Sequence, residues 1–149
     1  DIKGARIWRG AWAALDLNLP NVAFLRTRIE QISLFFEKDE VDEIWITFPD
    51  PFLRPTKSNR RLTSPIFLEQ FRKFLKLGGI VHLKTDERLF YDYTIKVLEK
   101  QKVYSILVHN DDLYSNALPN PELEIKTFYE IQHLAAGKTI KYIRFQLEV

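Results

Sequence analysis

Between residues 4 and 17 the apolar side chains fall at Ala5, Trp8, Trp12 and Leu15, the three-to-four spacing that lines one stripe of a helix. Asn18 to Pro20 ends that helix. "NVAFL" (21–25) then reads as a short buried strand, and "IEQISLFFEK" (29–38) as a helix with Ile29, Ile32, Leu34, Phe35 and Phe36 turned inward. "EIWITF" (43–48) is rich in β-formers and predicts a strand. A loop follows over 49–63, then a helix over 65–76 opened by Ser64 and Pro65. Gly78-Gly79 reads as its stop and launches a strand, "GGIVHLKT" (78–85). Asp86 suits the N-cap of a helix over 87–102. "VYSILVHN" (103–110) predicts another strand and 111–124 a polar loop. Thr127 caps a helix running to about Ala136, Gly137 ends it, and "KTIKYIRFQLEV" (138–149) alternates as a last strand.

Strands alternating with helices predict one α/β domain over 1–149, its sheet mostly parallel. The connection before the last strand is too long to fix that strand's direction. Apolar residues make up 46% of the 149, enough for a sizeable core. The net charge of +2 says little about partners, so local clustering carries that question. The absence of cysteine removes disulfides and thiolate metal sites and fits a reducing cytoplasm. His82, His109 and His133 lack ligand spacing, so no metal site is expected. No run approaches the ~20 apolar residues of a membrane span. The chain opens on Asp1 and holds no methionine, so it reads as a piece of a longer protein.

In open α/β sheets ligands bind beyond the carboxyl ends of the strands. Asp50 follows one predicted strand, Asp86 another, and Arg26 and Arg28 a third; Asp1 joins them if residue 1 closes an earlier strand. Asp50 stands between Pro49 and Pro51, which remove two backbone donors and push Asp50 towards extended geometry. Its side-chain direction is thereby largely set by the backbone. Arg54, Lys57, Arg60 and Arg61 follow with no acid among them. Two carboxylates, a basic strip and aromatics on one edge suit a nucleoside attached to a polyanion. Plainer readings stand beside this one: Asp86 as a helix cap, the basic strip as a solvated loop, Asp50 as a turn residue. Trp8, Trp12, Phe35 and Phe36 read as core.

"NVAFLRTRIEQI", "VDEIWITFPDP", "RRLTSPIFLEQF", "GGIVHLKTDERLFYDYT" and "KTFYE" follow one another along the chain. In that order they resemble the signatures of the bacterial tRNA (guanine-N7-)-methyltransferases. The resemblance implies a Rossmann-like class I methyltransferase fold, a mostly parallel sheet whose last strand is antiparallel, here N-terminally truncated. It implies methyl transfer from S-adenosylmethionine to N7 of a guanosine in the tRNA variable loop. By position Asp1 resembles the acid that holds the cofactor's ribose, and Asp50 the site aspartate near both sulfonium and target guanine. Arg28 falls in the stretch near the adenine; an arginine cannot accept from the adenine amino group, so contact there falls to backbone atoms. Arg54 stands where the family usually has a substrate-binding lysine. Asp86, Thr127 and Glu130 resemble its remaining tRNA-binding positions. The family's first strand and glycine-rich cofactor loop would precede residue 1, and a sheet without them is expected to expose edges and apolar surface.

Guanine N7 carries a lone pair and no proton, so catalysis needs alignment and a suitable field more than a base. Asp50 is expected to accept from the guanine N1–H and N2 amino group, and the basic strip to hold flanking phosphates. Two rivals share the fold: an RNA-binding module without catalysis, and a methyltransferase of small molecules. Monomer and homodimer are both open.

Overall fold

The computed structural model describes residues 2–148, so the expectation at Asp1 lies outside the described residues. The chain forms two compact units, Asp1–Phe36 and Glu37–Val149.

In the first unit, α1 (Gly4–Asp16) forms where the apolar spacing predicts it. Phe24 packs on this helix at Gly10, where an added Cβ would stand 2.8 Å from the ring. Two expectations are corrected here. Residues 22–28 form no strand, because a strand needs a partner strand and among the described residues the sheet lies wholly in the second unit. Residues 29–38 form only a 3-10 helix, Ile29–Leu34. A short helix is held chiefly by packing its apolar face, and Leu34 and Phe35 are 78% and 50% exposed. Trp8 and Trp12, read as core, are exposed too. So few residues offer little interior in which to bury them.

The second unit carries the sheet. Its strands are β1 (Val41–Thr47), β2 (Leu75–Thr85), β3 (Tyr104–Asn110) and β4 (Lys141–Leu147). The order is β1-β2-β4-β3; β1 and β2 run parallel, and β4 is antiparallel to both neighbours. Sequence and structure part at Gly78-Gly79. The helix before them, α2 (Pro65–Phe71), ends seven residues earlier, and β2 already begins at Leu75. The glycines lie inside β2 at a bulge, where the partners of Val41 and Glu43 jump from Leu75 to Ile80. Gly78 takes φ +77 there, a conformation that suits glycine and few others.

One sheet face is apolar: Ile46, Val81, Leu83, Ile143 and Phe145 are buried on it. Helix α3 (Arg88–Lys100) packs there through Phe90, Tyr91, Thr94, Val97 and Leu98. The opposite face alternates in polar residues, among them His82, Lys84 and Tyr142, all buried. Residues 111–136 lie over this face, with Leu113, Leu123, Ile140 and Tyr142 as a second core. This segment ends in α4 (Phe128–Ala135), whose N-cap is Thr127 and whose terminator is Gly137 at φ +75.

Candidate active site

The carboxyl end of β1 leads into the Pro49-Asp50-Pro51 corner. Phe48 and Phe52 on either side of it take φ +48 and +41, left-handed values that bulky residues avoid. Such conformations cost about 1–3 kcal/mol each and persist only where surroundings enforce them. Three contacts do so. Phe48 N–H donates to Lys84 O at 2.9 Å, which ties the corner to β2. Phe52 N–H donates to Asp50 Oδ1 at 2.9 Å. Arg61 donates through Nε to Pro51 O and through Nη2 to Phe52 O, both at 2.9 Å. Arg61 is only 4% exposed and its guanidinium lies over the Tyr93 ring at 4.3 Å. It therefore leaves the basic strip and acts as a brace, while Arg54, Lys57 and Arg60 are exposed. Asp50 itself faces solvent.

Asp86 ends β2 but does not cap α3, which corrects that expectation. Glu87 is the N-cap residue. The Asp86 carboxylate instead meets Lys138 Nζ at 2.5 Å and His133 Nδ1 at 3.4 Å. That hydrogen bond and charge raise Lys138 above the usual lysine range. His133 also stacks on Phe48 at 5.5 Å between ring centroids, so the Asp50 corner, Asp86 and α4 converge.

Thr127 and Glu130 form a capping box: Glu130 N–H donates to Thr127 Oγ1 at 3.2 Å, and Thr127 N–H to Glu130 Oε2 at 3.3 Å. Glu130 has no exposed surface, and its oxygens also take Lys84 Nζ at 2.6 and 2.7 Å and the Tyr114 hydroxyl at 2.5 Å. Burial and the Glu130 carboxylate push the Tyr114 phenol far above its ordinary value, so it stays a donor. "KTD" and "TFYE" are thus joined by one buried ion pair between Lys84 and Glu130. Sequence reasoning missed Lys84 and Tyr114, although a lysine within the run "IVHLKT" of a central strand was a signal.

Arg28 lies in the first unit, exposed, as the residue before the 3-10 helix. Arg54, Asp50, Asp86, Thr127 and Glu130 all lie in the second unit. No group of residues able to hold a metal ion occurs among the described residues.

A central sheet with its last strand antiparallel and helices laid on it has the order of a Rossmann-like methyltransferase. An rRNA methylase from Streptococcus thermophilus, known as a crystal structure, superposes with a TM-score of 0.62 at 9% identity, covering 100% of this chain and 71% of that one. That likeness concerns the fold alone. The family model described as "Putative methyltransferase" matches residues 5–143, and the chain belongs to this family. It is 48% identical over 149 residues to a protein of Christiangramia forsetii named tRNA (guanine-N(7)-)-methyltransferase, covering 99% of this chain and 66% of the relative. It is also 48% identical over 147 residues to a Bacteroides thetaiotaomicron protein of the same name, covering 99% and 57%. The chain spans 57% to 66% of the length of these relatives.

Proposed function

We propose that this chain carries the substrate half of a tRNA (guanine-N7-)-methyltransferase that uses S-adenosylmethionine and works in the cytoplasm on the tRNA variable loop. Both units belong to that one methyltransferase domain, since the family match runs across them. The observation that carries the reading is the Asp50 corner. An exposed carboxylate stands on a backbone held in strained geometry, in a chain whose relatives bear that name.

S-adenosylmethionine, when bound, supplies an electrophilic methyl group on a sulfonium. The chemistry of this chain's donors fits part of that cofactor: Asp50 in the second unit would offer negative charge to a sulfonium; Arg28 in the first unit stays a reading of the family resemblance. The five glycines, at positions 4, 10, 78, 79 and 137, form no phosphate- or ribose-cradling loop of the Gly-x-Gly-x-x-Gly kind. Towards the guanine, Asp50 accepts from N1–H and the N2 amino group, which aligns N7 and offsets the charge that develops on the ring. No proton has to leave N7, so Asp50 acts by position and field. Asp86 and Thr127 flank the base. Glu130, being buried, acts through Thr127 by fixing the cap. Arg54, Lys57 and Arg60 take phosphates of a loop whose guanosine has been unstacked.

The test is methyl transfer from labelled S-adenosylmethionine to unmodified tRNA by the protein at its natural full length. Label in N7-methylguanosine of the variable loop is expected. Label in other nucleotides, or none, overturns the reading. Asp50→Asn keeps the acceptor for Phe52 N–H and removes the charge; turnover is expected to fall about 100-fold with the fold intact, in the range seen when one preorganised group is lost. Near-normal turnover at normal tRNA affinity removes Asp50 from the mechanism.

A further inference from the structure

Beside the Asp50 corner, on its α3 side, lies an open groove of about 680 Å³. Leu53, Pro55 and Ser58 of the loop form one wall, and Leu89, Tyr93 and Lys96 of α3 the other. Its size falls within the range of sites for small organic groups. Leu53 and Leu89 are 52% and 46% exposed, so apolar surface is left uncovered here. Arg61 lies over the Tyr93 ring and also lines the groove. Because Arg61 grips the carbonyls of Pro51 and Phe52, groove and corner share this one residue. The Tyr93 hydroxyl is anchored to Ser58 O at 3.4 Å, and burial raises its pKa, so the ring stays neutral.

The charges favour an anion. The Arg88 guanidinium is taken by Asp92 at 2.9 Å and Asp111 at 2.9 Å, so the acid lining the groove is already paired. Lys96 is exposed and has no ion pair among the described residues. Arg54 and Lys57, set between the loop residues of the first wall, are exposed as well. An apolar wall edged by exposed cations matches a nucleobase with its phosphate better than a peptide or an acyl chain.

We propose that this groove seats a nucleotide next to the methylated guanosine, its base against Leu53, Leu89 and Tyr93 and its phosphate at Lys96. The proposal rests on the tRNA reading above. Drawing one guanosine out of a loop leaves its neighbour without a stacking partner, and an adjacent platform recovers that stacking. Through Arg61, an occupied groove also steadies the corner that presents Asp50.

Lys96 and Leu89 lie on the solvent side of α3, so their substitution spares the core. In the full-length protein, Lys96→Glu is expected to raise the KM for tRNA about tenfold, less at high salt, with affinity for S-adenosylmethionine unchanged. Leu89→Ala is expected to raise it about threefold, the low end for loss of a stacking surface. A benzophenone side chain placed at position 89 is expected to crosslink to one of the two nucleotides flanking the methylated guanosine. Unchanged KM values in both variants, or a crosslink into the protein's own chain or into a distant arm of the tRNA, overturn the groove. A wild-type protein that methylates no tRNA overturns the reading beneath it instead, so the two failures are distinct.

Discussion

Two carboxylates of the candidate site stand at the same edge of the sheet, and they live in opposite conditions. Asp50 faces solvent on a corner flanked by two phenylalanines with positive φ. Glu130 is fully buried, on unstrained helical backbone, with its oxygens taken by Lys84, Tyr114 and Thr127. The strain lies where a side chain must be offered, and the hydrogen bonds are complete where an element must be fixed. The two carboxylates are thus told apart by what their backbone and partners do, not by residue type. In "TFYE" the Thr-x-x-Glu spacing suits a capping box, but nothing in it shows that Glu130 is buried and paired with Lys84.

The largest effect that could break this contrast comes from the held side. Lys84→Met leaves Glu130 as an unpaired buried charge, and the second unit is expected to lose about 3–5 kcal/mol. Lys84→Met with Glu130→Leu replaces the pair by apolar volume and is expected to restore most of that stability. If Glu130 works through Thr127, the double variant folds yet binds tRNA more weakly, because the Thr127 N–H has lost its acceptor. Denaturant unfolding and the KM for tRNA together decide it. A double variant with wild-type tRNA binding reduces the ion pair to a structural part.

Arg61→Lys is a smaller blow, aimed at the offered side. One ammonium cannot donate in a fork to two carbonyls and lie flat on Tyr93 as well. A loss of about 2 kcal/mol is expected, the scale of a charged group's hydrogen bonds. If the corner's strain is enforced by Arg61, turnover falls further than stability alone explains. Equal turnover of Arg61→Lys and wild type under conditions where both are folded would show that Phe48 and the β2 tie suffice.

The sequence made much of this legible. Helix α3 and strands β1 to β4 follow the apolar spacing and bury the positions it marks, whereas α1 forms at the predicted spacing with none of its residues buried and α4 buries only Glu130. The strand expected at 21–25 failed for a reason no local pattern contains: its pairing depends on a partner strand. Gly78-Gly79 was read as a helix stop because glycine pairs do end helices, yet here the positive φ serves a bulge inside β2. At the candidate site, the constrained corner around Asp50 was legible because two prolines flank it. Arg61 was not, since nothing in "NRRL" separates a brace from a solvated cation. The bond between "KTD" and "TFYE" was invisible for a similar reason: it spans 46 residues and exists only once β2 and α4 meet.

The smallest expected effect sharpens the contrast by adding a buried histidine. His82 lies on the polar face of the sheet, stacked flat on Trp45 at 3.9 Å, with Nε2 2.6 Å from Glu43 and Nδ1 2.7 Å from the Tyr142 hydroxyl. Burial favours the neutral ring and Arg144 also opposes a proton on it, while Glu43 and Glu122 favour one. Burial is the largest of these, and the folded pKa lies below the ordinary 6.5. Tyr142, pushed up to about 12, stays protonated throughout the relevant range. Unfolded His82 binds its proton near 6.5 and folded His82 only at lower pH. Between those values the unfolded chain binds more protons, so stability is complete above 6.5 and declines as pH falls below it. Carboxylates titrate around pH 4, so the interval from 6.5 to about 5 separates histidine from carboxylate titration, and the substitution singles out His82. Denaturant midpoints across that interval should slope for the native chain and flatten for His82→Gln. A slope that survives the substitution would assign it to another group and leave His82 as packing under Trp45.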